Sequence, residues 1–559
     1  MFLKTTRSGK YEYVQVVESI RLGKRTTHKV RLNLGRKDEI VNDPDWQSLA
    51  KKLAVLTGLE APQPKKNSIL DDIDVGEGVV LNWGYLAYKK LWTSLGLDVE
   101  MNLLQAKTKA SFPLANAVFL MVLHHLLSPG SKLDAYGNQA GYASFEPVEL
   151  HHLYRALDYL CEYKEALEEG LFAKNYSLLN SEIDVVFYDV TTFAFESVKS
   201  DELRDFGFSK DNKFGEVQVV MGMFIDRNGC PVGYELFSGN TFDGKTLVTS
   251  LSSLKERFGI RRVIVVADRG INSKLNLLAL SEAGYGYIVA SRLKNMPKDI
   301  KEQALDVSGY QALAWETEDG EVVIRAKQIP YKNVIKSGSR VLGSLDEQLV
   351  ITHSVKRASK DAADRERLLQ KARKLLENPA TLKGQLKRGG RKFLKVEGSS
   401  ETTYIMDAAA IEKDAMWDGL YAIQTSEQDM PPSKILEAYH TLWKIEESFR
   451  IMKSALEVRP IYHWTPDRIK GHFVVCFLAF LMERRMEQRL MNNNIEATPL
   501  GIRAALNKLT VTKTTLNEEV IYIKSAVPSL AGQILRMLRI KQPTTLLTES
   551  GWNNWIREK

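Results

Sequence analysis

Residues 183–196 read IDVVFYDVTTFAFE, and the way this run folds decides the architecture of the chain. Val185, Val186, Phe187 and Tyr188 make a short apolar run of β-branched and aromatic residues that ends in Asp189. Such a run reads as a strand buried on both faces. The pattern returns in RRVIVVADRGIN, residues 261–272, where the apolar run ends in Asp268. Between them lies VQVVMGMFIDRNGCPVGYELFSGN, residues 217–240, two strand-like runs with Asn228-Gly229 as a hairpin turn. After Asp268 come a helix-like stretch, LNLLALSEAG (275–284), and one more strand, YGYIVASR (285–292). Apolar strands set among helices predict a mixed α/β sheet.

Upstream, residues 10–35 alternate and carry β-branched residues around a basic turn at Gly23-Lys24-Arg25, which predicts a small antiparallel sheet. The basic residues around it suit either a phosphate-facing surface or an ordinary polar sheet face. From 80 to 175 the pattern is helical, as in ANAVFLMVLHHLL (115–127) and ELHHLYRALDYLCEYKEALEEGLF (149–172). Neighbouring residues on a helix point about 100° apart, so neither His124-His125 nor His151-His152 chelates a metal easily by itself. These histidines read as structural.

Downstream, residues 296–430 combine alternating stretches (GEVVIRAKQI, QLVITHSV), a charged helix at 360–377, and the basic loop KGQLKRGGRKFLKV at 383–396. A strand-like pair, TTYIMDAAAIE and GLYAIQTS, closes this region. It reads as a separate inserted module. Lys387, Arg388, Arg391 and Lys392 flank Gly389-Gly390, and such a loop either follows a phosphate backbone or is a solvated turn. From 495 on the chain is amphipathic and polar, and reads as helical.

The 559 residues suit two to four domains, with 44% hydrophobic and 26% charged residues, ordinary for a globular protein. Lys plus Arg exceed Asp plus Glu by 77 − 69 = 8, a mild bias toward a polyanionic partner. Cys161, Cys230 and Cys476 form no metal spacing and no disulfide framework, which fits a reducing compartment. The first residues, MFLKTTRSGKYEY, lack the apolar core of a signal peptide. The longest apolar run, FVVCFLAFLM (473–482), is too short to span a bilayer and reads as a buried helix.

Two carboxylates at the ends of neighbouring strands repel unless a cation lies between them, and Mg²⁺ favours a few carboxylates with water and phosphate oxygens. A third acid comes from YHTLWKIEESFRIMK, residues 439–453. On one helix, Tyr439, Glu446 and Lys453 recur every two turns, and Arg450 joins the same stripe one turn after Glu446. Glu447 points about 100° away. Asp189, Asp268 and Glu446 are then catalytic and metal-binding candidates, able to hold two ions about 3.5–4 Å apart across a phosphodiester. Tyr439, Arg450 and Lys453 run beside Glu446 as hydroxyl and cationic donors, which on a DNA-cutting reading of this helix would hold phosphate oxygens of the strand. The bland reading of the stripe is a solvated face with Glu–Arg pairs. A haloacid-dehalogenase-type phosphatase is the rival for Asp189, but its second acid two residues on is Thr191 here.

The order strand–Asp, strand–Asp, inserted module, helix–Glu resembles the DDE transposases of bacterial insertion sequences. One large group of these carries Tyr-x2-Arg-x3-Glu-x6-Lys, and Tyr439, Glu446 and Lys453 match it, with Leu442 where that group has arginine. ADRG (267–270), GFSKDNKFGEVQVVMG (207–222) and FSGNTFDGKTL (237–247) also resemble one branch. The spacings, 268 − 189 = 79 and 446 − 268 = 178, suit an insertion between the second Asp and the Glu.

The resemblance implies an α/β fold with an RNase H-like mixed-sheet core interrupted by a β-rich insertion. It divides the chain into 1–45 (small, basic, β-rich), 46–180 (helical, for DNA ends and dimer contacts) and 181–295 (first part of the core). The remainder is 296–430 (insertion with the basic loop), 431–490 (second part, with the Glu helix) and 491–559 (helical). It implies Mg²⁺-dependent cleavage at terminal inverted repeats and strand transfer into target DNA, with two ions, Mn²⁺ as substitute, and a homodimer in a synaptic complex. No membrane is expected; the bacterial cytoplasm and nucleoid are. Some relatives hold a flipped base on an aromatic side chain, for which Trp315, Trp417, Trp443 and Trp464 are candidates. A transposase-derived DNA-binding protein without cleavage, and a metal-dependent nuclease or phosphatase, are the alternatives.

Overall fold

A computed structural model describes residues 1–22, 25–58, 78–175, 185–195, 197, 199–207, 215–240, 243–258, 263–267, 272–317, 320–377, 389–396, 404–516 and 519–558. The chain divides into one unit of residues 1–77 with 515–518, and another of residues 78–514 with 519–559.

In the first unit, alternation produces the expected sheet. Strands β1 (Phe2–Ser8), β2 (Tyr11–Leu22) and β3 (Arg25–Arg36) form an antiparallel meander, with Phe2 opposite Val17 and Tyr13 opposite Arg36. Val17 is buried. The Arg36 guanidinium lies 3.8 Å over the Tyr11 ring, and Lys37 pairs with Glu12 at 2.7 Å, fixing α1 (Lys37–Asn42) to the sheet. Asp43 then caps α2 (Pro44–Leu56) by accepting from the Asp45 N–H at 2.8 Å. Gly23 and Lys24 of the basic turn lie outside the described residues.

The second unit starts with a short strand, β4 (Val79–Asn82), and a helical layer: α3 (Tyr85–Ser94), α4 (Leu97–Lys107), α5 (Leu114–Leu127), α6 (Lys132–Asn138), α7 (Leu150–Glu162) and α8 (Lys164–Asn175). Helix α5 is apolar nearly all round and correspondingly buried. Next come β5 (Val185–Ala194), β6 (Gln218–Ile225), β7 (Pro231–Ser238), α9 (Asp243–Phe258), β8 (Ile264–Ala267), α10 (Lys274–Glu282) and β9 (Gly286–Ala290). Asp226 accepts from the Asn228 and Cys230 N–H groups at 2.8 and 2.9 Å, and Gly229 takes φ +78°, so the expected Asn-Gly turn closes β6 on β7. The chain continues through α11 (Lys298–Leu305), β10 (Gln311–Thr317), β11 (Gly320–Ser337), β12 (Arg340–His353), α12 (Val355–Leu376), β13 (Leu394–Val396), β14 (Tyr404–Met406), α13 (Ala408–Ala415) and β15 (Leu420–Thr425).

Nine of these strands make one sheet in the order β10-β11-β12-β15-β9-β8-β5-β6-β7. Strands β5, β8 and β9 are mutually parallel, while β5-β6 and β6-β7 are antiparallel. The expected separate module is therefore corrected: β15 hydrogen-bonds to β9, placing Ile423 opposite Ala290, and the insertion's strands extend the core sheet. Among the described residues of TTYIMDAAAIE, Tyr404–Met406 is strand. Asp407 accepts from the Ala410 N–H at 3.2 Å, capping α13, and the alanines run on as its first turn.

Side chains alternate across this sheet. Phe187, Phe193, Met221, Met223, Ile264, Val266 and Ile288 join a core shared with α5, α7 and the helices after residue 430. Tyr188, Val190, Val220, Val265, Ala267 and Val289 point the other way, into a core with α9 and α10. The sheet is thus the middle of three layers.

The chain ends with α14 (Pro432–His440), α15 (Trp443–Arg450), a π-helical turn (Ile451–Ala455), α16 (Pro466–Met491), α17 (Pro499–Asn507), β16 (Thr510–Leu516), β17 (Glu519–Lys524), α18 (Ser529–Met537), β18 (Leu546–Thr548) and α19 (Glu549–Arg557). The expected all-helical end is corrected: β16, β17 and β18 form a second sheet completed by β4, with Thr510 opposite Asn82. TVTKTTL and EVIYIK carry the β-branched alternation responsible. Helix α16 buries FVVCFLAFLM, and Gly471 brings it so close to α7 that a Cβ there would lie 2.1 Å from the Leu157 carbonyl oxygen. Among the described residues no single helix is long and apolar enough to cross a membrane.

Candidate active site

The sequence reading set Asp189 at a strand end; it lies within β5, which runs on to Ala194. The parallel pairing with β8 covers only Val185 to Phe187, opposite Ile264 to Val266, whereas the pairing with β6 continues to Ala194. Asp189 therefore sits just beyond the paired part of β8. It alternates with Phe187 and Phe193 on the face that packs against α15 and α16. Its side chain is half-buried, and Oδ1 accepts from the Val190 N–H at 2.8 Å. Asp268, the residue after Ala267, lies outside the described residues.

Glu446 is on α15, which packs on β5. Ile445 and Phe449 anchor the helix in the core and Glu446 stays exposed. Its neighbour Glu447 accepts from Arg484 of α16 at 2.9 Å and lies 3.6 Å from Arg450, so it serves as an interhelical tie. The Lys444 ammonium donates to the Arg227 carbonyl in the β6–β7 turn at 3.3 Å, fixing the other end of α15.

The single straight stripe from Tyr439 to Lys453 is corrected. Leu442 and Lys444 donate to the carbonyls of Tyr439 and Thr441, so the chain tightens to three-residue turns between α14 and α15. After Arg450 it loosens into the π turn, where Leu456 donates to Ile451. Both changes shift the phase, and the residues face different neighbours. The Tyr439 hydroxyl meets that of Tyr421 on β15 at 2.6 Å. Arg450 is exposed on the Glu447 side. The Lys453 ammonium lies 5.6 Å from the centre of the Phe193 ring. Leu442, where the resembling group has arginine, is buried in the core.

Lys453 also lines a cavity of about 400 Å³ at the end of β5, with Arg204, Arg459, Tyr462, His463 and Trp464. Arg204 pairs with Asp201 at 2.6 Å and donates to the Trp464 carbonyl at 3.0 Å, leaving the indole 72% exposed. Burial, with Lys132 nearby, pushes His463 down to about 3, so it is neutral at physiological pH. Arg391 and Lys392 sit in a 3₁₀ turn, Gly389–Phe393, where Lys392 pairs with Asp414 at 3.3 Å and Arg391 lies 5.9 Å from the Tyr404 ring. Lys387 and Arg388 lie outside the described residues.

The profile of the transposase DDE domain matches residues 180–482, more than half of the chain. The N-terminal domain of the IS1634 family transposases matches residues 3–62. The chain belongs to the DDE transposases of insertion sequences. Among curated proteins nothing matches the transposase. Solved structures similar to it include the cryo-EM structure of a piggyBac transposase synaptic complex with hairpin DNA. That structure is 9% identical over 85% of each chain, at a TM-score of 0.34, a likeness that carries no argument about this transposase. As a family, DDE transposases act on DNA with a divalent metal ion.

The sequence reading of the transposase left out Arg204, Arg459 and Tyr462. RPIYHW at 459–464 holds the signal, a basic and aromatic cluster just after the glutamate helix. Of the tryptophans weighed, Trp464 is on this cavity, Trp443 is partly exposed on α15, Trp417 lies beside α12, and the Trp315 side chain is outside the described residues.

Proposed function

We propose that the transposase cuts its terminal inverted repeats, and joins them to target DNA, at a site made by Asp189, Asp268 and Glu446 on an RNase H-like core. The observation that carries this is the arrangement of β7-β6-β5-β8-β9. The central strand β5 has the antiparallel β6–β7 hairpin on one side and the parallel strands β8 and β9 on the other, and α15 lies on the Asp189 face. Ile264 and Val266 share that face with Phe187, and Asp268 follows the end of β8 in the sequence.

The donor set fits Mg²⁺, with Mn²⁺ as its substitute, because all three ligands are carboxylates and those of Asp189 and Glu446 both reach solvent. Two such ions, when bound, activate the attacking oxygen and stabilise the leaving one. The protein's part is placement. Ile445 and Phe449 seat α15, the Glu447–Arg484 pair stops it from rolling, and Lys453 with Arg450 holds phosphate oxygens along the strand. The cavity beside Lys453, with the exposed faces of Tyr462 and Trp464, suits an unstacked base next to the cut. The working form is a homodimer in a synaptic complex, acting on nucleoid DNA in the cytoplasm.

The test is cleavage of labelled inverted-repeat DNA with Mg²⁺. Asp189→Asn, Asp268→Asn and Glu446→Gln each lower nicking by about 10³-fold or more while end binding stays within a few-fold of wild type. A variant that nicks at the wild-type rate removes its residue from the site, and wild-type protein that binds ends without nicking overturns the reading.

A further inference from the structure

Beyond the glutamate helix the chain makes a turn that its own backbone does not fully satisfy. The carbonyls at a helix C-terminus have no intrahelical partner, and this one ends in a π turn followed by Glu457 at φ 47°, a left-handed conformation costly for a residue with a Cβ. Three side chains from other helices take up the carbonyls. Arg503 of α17 donates to the Ala455 carbonyl, and also to those of Leu126 at 2.8 Å and His125 at 3.3 Å. His125 Nδ1 of α5 meets the Leu456 carbonyl at 2.9 Å, and His472 Nε2 of α16 meets that of Val458 at 3.1 Å.

Since those ring nitrogens donate, the other nitrogen of each neutral ring must accept. Both point at one atom. The Lys132 Nζ of α6 is 3.1 Å from His125 Nε2 and 3.2 Å from His472 Nδ1. Cys476 completes the cluster, its sulfur 3.5 Å from His472 Nε2. Ligand atoms of His125, His472 and Cys476 all fall within 4.8 Å of one another, a spacing open to a metal ion, but the Lys132 amine occupies the lone pairs such an ion needs. Burial keeps the surrounding groups neutral: it lowers both histidines well below their usual range and pushes the Cys476 thiol up to about 12. Lys132 itself is 5% exposed and is drawn down to about 8.

We propose that Lys132, His125, His472 and Arg503 are positioning residues for DNA cleavage. Lys132 orients the two imidazoles so that they and Arg503 clamp the turn at Ala455–Val458, holding Lys453 and the Glu446 helix in register with Asp189. The inference rests on the active-site reading above, and Glu446→Gln keeps the two apart. If that variant nicks as wild type, the site is wrong; if it is dead, the clamp is judged on its own variants.

Full-length protein is assayed on pre-nicked and intact end DNA with Mg²⁺. Lys132→Met and His125→Leu lower the single-turnover rate at saturating DNA at least tenfold, with end affinity within twofold. His125→Asn, which keeps a donor where Nδ1 stood, recovers the rate to within threefold of wild type. A part that is only structural would lower the folded fraction but not the rate per folded molecule. Independently of turnover, amide exchange at Leu456 and Val458 speeds up at least tenfold in Lys132→Met. Rates within twofold of wild type, no recovery in His125→Asn, or unchanged exchange overturn the proposal. So does one equivalent of zinc in the purified wild type that Cys476→Ser loses.

Discussion

Adjacent glutamates divide the labour on α15. Glu447 accepts from Arg484, a guanidinium otherwise held by Glu487 at 2.9 Å and almost entirely buried, while Glu446 faces solvent. Glu447→Gln leaves Arg484 with a weaker partner. It costs about 1–2 kcal/mol of folding stability, read by denaturant titration, yet retains nicking within about tenfold. Glu446→Gln should do the reverse. Lys453→Ala reduces cleavage at saturating DNA more than it reduces end affinity, since one phosphate contact is a small share of the total; equal losses in both remove its positioning role. What the proposed site residues offer chemically was legible in the sequence, because carboxylates, tyrosine and lysine declare it. Their facing was not, because the 3.6-residue period assumes a uniform helix. The tightened turn at Thr441–Leu442 and the π turn after Arg450 leave no mark in composition.

Among the elements, β5, β8 and β9 could be read directly, since fully apolar runs bounded by an acid or a glycine suit buried strands. Strand partners could not. That β15 joins β9 depends on pairing segments more than a hundred residues apart, and local pattern says nothing about it. One consequence is a buried carboxylate at the join. Glu347 on β12 accepts from the Tyr287 hydroxyl of β9 and from the Gln424 amide of β15 at 2.6 Å, and burial raises it from 4.5 to about 7. The folded state then holds this proton where the unfolded state has lost it, so its contribution to stability is complete below about pH 4.5 and falls as the pH rises through about 7. Glu347→Gln, which keeps the size and removes the titration, flattens that part of the pH–stability profile measured by thermal unfolding. A profile parallel to wild type would show that Glu347 titrates elsewhere.

Across the whole second unit, the helical layer and the nine-stranded sheet share one apolar core, with α5, α7 and α16 covering the face that carries Asp189. That explains a run as apolar as Phe473–Met482: α16 is surrounded by protein along most of its length. At the C-terminal end the β-branched alternation of β16 and β17 was there to be read, whereas the pairing of β16 with β4, more than 400 residues earlier, was not. In such a fold the proposed active site draws on distant parts of the chain, and its acids would meet only if the layers pack around this shared core. The most direct test is diffraction from the protein with Mn²⁺ and inverted-repeat DNA, using the manganese anomalous signal. Two peaks about 3.5–4 Å apart, each bound by carboxylates from among Asp189, Asp268 and Glu446, are the expected result. Manganese bound away from those three carboxylates, with the DNA end seated elsewhere, would contradict it.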